Sequence, residues 1–234
     1  MKAMFLRIGI DNGTDGTLAP IFEDGSFEFI PISEYDENSK ECRTYLNTIG
    51  RKGKPFSTYV PKQIWKYTMH FDPEFDTFTY GDPTSKRNFL LKLDKGDLLV
   101  FYAGLMPYKN SAYETALYII GYFLVDEVIN FNELSKKEIE TAFKKYSNNA
   151  HIKRKDDVVN LVVVVGNPKH SKLLDKAILI SEAKLDKRGR PYQAVSNKMQ
   201  RMLGISGSIQ RSIPPRFIYE SNYIDNLKKI LKIK

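Results

Sequence analysis

Apolar residues along this chain fall into short blocks separated by turn-forming residues. Residues 4–10, 27–32, 97–103, 116–129, 158–165 and 177–180 are rich in β-branched and aromatic side chains, and each predicts a strand. Gly121 lies inside the longest block and predicts a bulge there. Helical spacing is rarer. Ser135-Lys-Lys-Glu138 has the form of a capping box, and Ile139, Ala142, Phe143 and Tyr146 follow at i, i+3, i+4 and i+7 on one face. A second helix is predicted over 193–203, with Val195, Met199, Met202 and Leu203 on one stripe and Gly204 as its stop. A third is predicted over 222–233 through Ile224, Leu227, Ile230 and Leu231, with Lys228, Lys229 and Lys232 at the negative end of its dipole.

Strands with helices inserted irregularly lack the β-α-β alternation of a parallel sheet. The expected fold is α+β, with a curled, mostly antiparallel sheet and three or more peripheral helices. No internal repeat or low-complexity linker interrupts the pattern, so one domain is expected over residues 1–234. At 42% apolar in 234 residues, the chain can bury a substantial core. No apolar run approaches the length of about 18 residues that a membrane span needs. The first residues lack a signal-peptide pattern, and the single cysteine, Cys42, cannot form an internal disulfide. A cytoplasmic protein is expected, with Cys42 an idle thiol.

Charge is segregated along the chain, within a net of +8. Residues 11–41 carry nine acids against Lys40, residues 43–67 carry six bases and no acid, and residues 184–216 carry eight bases against Asp186. An acidic stretch beside two basic ones suits a polyanion held near a carboxylate-lined site. The alternative is the solvated, ion-paired surface of a Lys-rich protein of thermophilic type.

Three stretches carry candidate chemistry besides Asp11 and Asp15 in the loop after the first strand. His70 and Asp72 are two residues apart, so on a strand they share a face and suit acid/base work or metal ligation. The chain holds three histidines and no His-x-x-x-His spacing, which argues against a zinc site. In the second stretch, Tyr108 and Tyr113 offer stacking faces beside Lys109. In the third, residues 204–216 combine small residues, Gln210, Arg211 and Arg216 in a loop suited to phosphate, without the spacing of a P-loop.

Lys95-Gly-Asp-Leu-Leu-Val-Phe-Tyr-Ala-Gly104 and the strand around Ile119-Ile-Gly-Tyr122 resemble the central strand pair of PUA-like barrels, including the ASCH and EVE branches. Over nearly the whole chain the motifs resemble the third type of nucleotide-modification-associated domain. The matching places are Ile10-Asp11 through Pro20-Ile21-Phe22, Asp24-Gly25, Ile30-Pro-Ile-Ser-Glu34, His70-Phe-Asp-Pro-Glu74, Gly96-Asp97-Leu98, His151, and Gly207-Ser-Ile-Gln-Arg211. The family's paired serines after the aspartate are Asn12 and Gly13 here, which removes a serine nucleophile from that place.

The resemblance implies a partner, nucleic acid or nucleotide, more firmly than a reaction. Its implied catalytic group is Asp11, His70, Asp72 and His151. Two functional classes stay open. One is an enzyme acting on a nucleotide or base, with Gln210, Arg211 and Arg216 holding phosphate. The other is a non-catalytic reader in which Tyr102, Tyr108 and Tyr113 stack a modified base. A structural protein with neither site is the bland third. No cofactor is named by the sequence, and the oligomeric state is not legible in it.

Overall fold

The computed structural model describes residues 1–13, 15–109, 111–154 and 158–233; Thr14 of the acidic loop and Asn110 of the tyrosine-bearing loop lie outside them. In chain order the elements are β1 Ala3–Ile8, β2 Ala19–Ile21, β3 Ile32–Ser33, β4 Met69–His70, β5 Thr79–Asp82, α1 Arg87–Leu90, β6 Leu98–Pro107, β7 Ala116–Asn130, α2 Lys136–Lys145, α3 Ala150–Lys153, β8 Val162–Gly166, β9 Lys172–Leu179, β10 Ser181–Leu185, β11 Pro191–Val195, α4 Asn197–Leu203, β12 Arg216–Ile218 and α5 Ser221–Leu231.

Eight strands make one sheet in the order β12-β1-β6-β7-β8-β5, with β2 also on β6 and β9 also on β7. β1 and β2 run parallel to β6, and the other pairings are antiparallel. This is an α+β fold on a large, mostly antiparallel sheet. Among the described residues β12 and β5 do not pair, so the sheet is open and makes no closed barrel. The β6–β7 pair that resembles the PUA-like strands is present, in an open setting. No helix of the described residues is long and apolar enough to cross a membrane.

β6 is central, and its sequence shows why. It is flanked by β1 and β2 on one edge and β7 on the other, and Leu98 through Leu105 are buried without alternation, as a strand covered on both faces requires. Gly121 lets β7 and β9 close together: a Cβ there would lie 2.8 Å from the Lys172 carbonyl oxygen and 2.8 Å from the Phe75 ring. The β6 and β9 registers both shift beside it, so the expected bulge is present.

α2 has its capping box, with Ser135 accepting from the Glu138 N–H, and it covers a smaller apolar cluster that includes Ile129, Phe131 and Leu161. Two expectations need correction. Residues 193–195 belong to β11, and the helix starts after Ser196, whose side chain caps the Met199 N–H. Only Ile32 of the expected 27–32 strand is in a strand; Phe27 makes an isolated bridge to Ile21 and Ile30 accepts from the Ile10 N–H as irregular buried chain. Pro31, which has no N–H to give a ladder, fits that outcome.

Candidate functional site

β1 runs into a turn at Gly9, which has φ +77°, and delivers Arg7 and Asp11 to one end of the sheet. Asp11 is 9% exposed. Its Oδ1 accepts from the Gly13 N–H at 2.9 Å, and its Oδ2 accepts from Arg211 Nε at 2.5 Å. Arg211 Nη2 also donates to the Gly9 carbonyl. Asp15 is spent on structure: its Oδ1 accepts from the backbone and hydroxyl of Ser33, each at 3.2 Å.

Arg211 is the wall between two hollows. On one side is a cleft of about 480 Å³ lined by Arg7, Asp11, Tyr192, Gln193 and Gln210. On the other is a smaller cavity of about 130 Å³ lined by Arg7, His70, Asp72, Tyr80 and His151. Arg7 lines both, and its buried Nε has no hydrogen-bond partner. Burial and then the like charge of Arg211 lower the pKa of Arg7, although Asp11 opposes them. A guanidinium stays protonated in proteins, so the two like charges face each other with Asp11 as their nearest counter-charge.

The small cavity gathers groups from two separate stretches. β4 ends at His70, Asp72 follows two residues later, and α3 brings His151 from farther along the chain. The His70 and His151 rings meet edge to face, 4.7 Å between centroids. Asp72 Oδ1 accepts from the Gly81 N–H at 2.8 Å, and its Oδ2 lies 3.6 Å from His151 Nε2, beyond hydrogen-bond length. His151 Nδ1 is buried without a partner. One donor atom from each of His70, Asp72 and His151 lies within 4.8 Å of the others. α3 is fixed by Asn149, which caps the His151 and Ile152 N–H groups and donates to Thr79 Oγ1 on β5. Gly81 makes room, since a Cβ there would lie 2.9 Å from His151 Cδ2.

Behind His70 stands Glu34. His70 Nδ1 is 2.8 Å from Glu34 Oε2, and Arg154 grips both carboxylate oxygens at 3.0 and 2.7 Å. Burial alone would raise the Glu34 pKa, but hydrogen bonds from His70 and Arg154 hold it down to about 2. Burial, joined by His151 and Arg154, lowers the pKa of His70 despite Glu34 and Asp72. A carboxylate held ionised can only accept, so the 2.8 Å contact makes His70 Nδ1 the donor to Glu34 and turns Nε2 away from it.

His70, Asp72 and His151 thus come together, while Asp11 stands across Arg211 as the anchor of that side chain. The spacing argument against a metal does not reach this cluster, because its donors come from β4, the turn after it and α3. Gln210 and Arg211 line the large cleft. Arg216 does not; its Nη2 donates to the Ser208 carbonyl at 3.1 Å. Tyr102 is 4% exposed and donates to the Ile209 carbonyl at 3.0 Å, so it offers no stacking face. Tyr108 packs on Phe22 and Tyr59, and Tyr113 on Tyr118; neither lines the arginine cleft. Arg7, Glu34, Arg154 and Tyr192 were missed. Arg7 carried a signal as a charge inside an apolar strand, and Glu34 as the end of the family-like Ile30-Pro-Ile-Ser-Glu34 stretch.

Part of the charge segregation is consumed by the fold. Glu41 pairs with Arg43 and Lys153, Asp24 with Lys52, and Asp175 with Arg51. The exposed basic remainder includes Lys187 and Arg188 at the tip of the β10–β11 hairpin, whose second strand supplies Tyr192 and Gln193 to the cleft.

Neither a curated protein nor a solved structure matches this chain. A family model does, over residues 2–205, described as nucleotide modification associated domain 3. The chain belongs to that family.

Proposed function

We propose that this protein binds a nucleotide, free or within a nucleic acid, and modifies it at the cluster of His70, Asp72 and His151. The observation that carries the reading is the pair Arg7 and Arg211 shared by the two hollows. Two crowded guanidiniums favour a phosphate, which accepts from both at once. The large cleft falls within the size of small-ligand sites, about 300–1,000 Å³. Tyr192 supplies a ring for stacking, and Gln193 and Gln210 supply amides for a base edge. The family supports the partner class. A non-catalytic reader could use the same cleft; the imidazole–carboxylate cluster next door favours modification, since recognition alone does not need it.

Calorimetry with a nucleoside, its 5′-phosphates and short single-stranded DNA and RNA tests the reading. Binding is expected to require phosphate and to weaken with salt, by about 0.7 to 0.9 log units per phosphate contact for each tenfold rise. Arg7→Gln is expected to weaken it about 10-fold or more. Equal affinity for nucleoside and nucleotide, or an unaffected Arg7→Gln, overturns the proposal.

A further inference from the structure

We propose that His70, Asp72 and His151 together hold one divalent transition-metal ion. This deepens the reading above by naming how the reactive end of that site works; the ion's binding, as opposed to its use, does not depend on that reading.

The first ground is convergence: three donors of ligand type lie within 4.8 Å of one another, and His70, Asp72 and His151 are all buried at the side chain. The second is orientation. Metal-bound histidines commonly give their other ring nitrogen to a carboxylate, which fixes the tautomer. His70 does so with Glu34 at 2.8 Å, and Arg154 fixes Glu34 in turn, so Nε2 is left as the donor. Asp72 is likewise half-used: the Gly81 N–H occupies Oδ1, and Oδ2 faces His151.

The third ground is an unmet need. A histidine packed for structure alone would satisfy both ring nitrogens, as buried polar groups do. His151 satisfies neither: Nδ1 has no partner and Nε2 is 3.6 Å from the nearest carboxylate oxygen. Yet the protein keeps the imidazole there, with Gly81 giving it room and Asn149 holding the start of its helix. A cation between His70 Nε2, Asp72 Oδ2 and the His151 nitrogen that faces Asp72 answers that need.

The donor set fixes the class of ion. Two imidazoles and a carboxylate suit zinc, cobalt(II) or iron(II), whereas calcium and magnesium prefer oxygen alone. Three protein ligands leave open positions toward the cavity, the arrangement of metal sites that act on a substrate. Arg7, Arg211 and Lys86 line the same cavity and oppose a bare dication. Asp72 neutralises one unit of its charge, and an anion lodged against the arginines would neutralise more. Phosphate is therefore expected to tighten metal binding.

The test is titration of the metal-stripped full chain with Co²⁺, followed by visible absorption, and with Zn²⁺, followed by imidazole nitrogen NMR. One ion per chain is expected. Zn²⁺ should shift His70 and His151 and leave the exposed His170 unmoved, an internal control that needs no variant. His151→Ala should abolish the Co²⁺ spectrum, and Glu34→Gln should weaken binding about 10- to 100-fold. Absent saturation, a Co²⁺ spectrum retained in His151→Ala, or Zn²⁺ shifts confined to His170 would each overturn the proposal; if a variant fails to fold, the NMR of the unaltered chain decides. Nucleotide affinity of the metal-free protein is measured alongside. Nucleotide binding by a chain that takes up no ion on titration overturns the ion alone, and ion uptake by a chain that binds no nucleotide overturns the nucleotide reading alone.

Discussion

Arg211 reaches across 200 residues of sequence to Asp11, closing Nε on Oδ2 at 2.5 Å, and so joins the loop after the first strand to the loop before the last. Its planar fork makes this contact and the one to the Gly9 carbonyl at the same time. Arg211→Lys keeps the charge but cannot reproduce a two-point grip. Nucleotide affinity is expected to fall about 10-fold, and stability by about 1–2 kcal/mol, which is a few degrees in a chain of this size. Calorimetry and a thermal melt of the same sample measure both. Unchanged affinity would show that Arg211 does not touch the ligand.

Glu41 gives a pH prediction away from the site. It is buried against Arg43 at 2.8 Å and Lys153 at 2.7 Å; burial raises its pKa, but these hydrogen bonds prevail and hold it at about 2, against an ordinary 4.5. A folded pKa below the unfolded one means stability that is complete above about pH 4.5 and lost as pH falls toward 2. The contribution is at most about 3 kcal/mol. Glu41→Gln is expected to remove it at pH 7 and to change little at pH 2. Denaturant unfolding of both proteins across that range measures the difference, and parallel curves would refute the assignment.

Gly121→Ala tests the sheet. The new Cβ would press on the Lys172 carbonyl oxygen, a backbone atom held by strand pairing, and on the Phe75 ring. Overpacking of this kind costs about 1–3 kcal/mol. The melt should drop by several degrees while nucleotide affinity per folded molecule stays unchanged, because neither Gly121 nor Phe75 lines the arginine cleft.

What the sequence disclosed follows the range of the interactions involved. α2 was legible because its capping box and apolar stripe are local, spanning a dozen residues. The β10–β11 hairpin was not: its charged tip around Asp186 to Arg190 reads as surface, and Val195, taken as helix, belongs to a strand whose role is set by pairing with Ser181. His70 and Asp72 announced themselves by spacing. His151 had only the family resemblance, since a four-residue helix has no pattern, and Glu34, one acid among nine, had only the same resemblance through Ile30-Pro-Ile-Ser-Glu34. The carboxylate that orients His70 comes from beside β3, far from it in sequence, and is braced by Arg154.

The placement of β1 between β6 and β12 has a consequence for how the molecule is made. Met4 pairs with Leu99 on one side and with Phe217 on the other. During synthesis the strand that carries Arg7 can dock on β6 early, but its second edge and the partner of Asp11 emerge from the ribosome some two hundred residues later. Contacts of such long sequence separation form slowly. The Arg7–Arg211 pair is thus complete only once residue 211 has emerged, and a chain released earlier would own the imidazoles without Arg211 beside them.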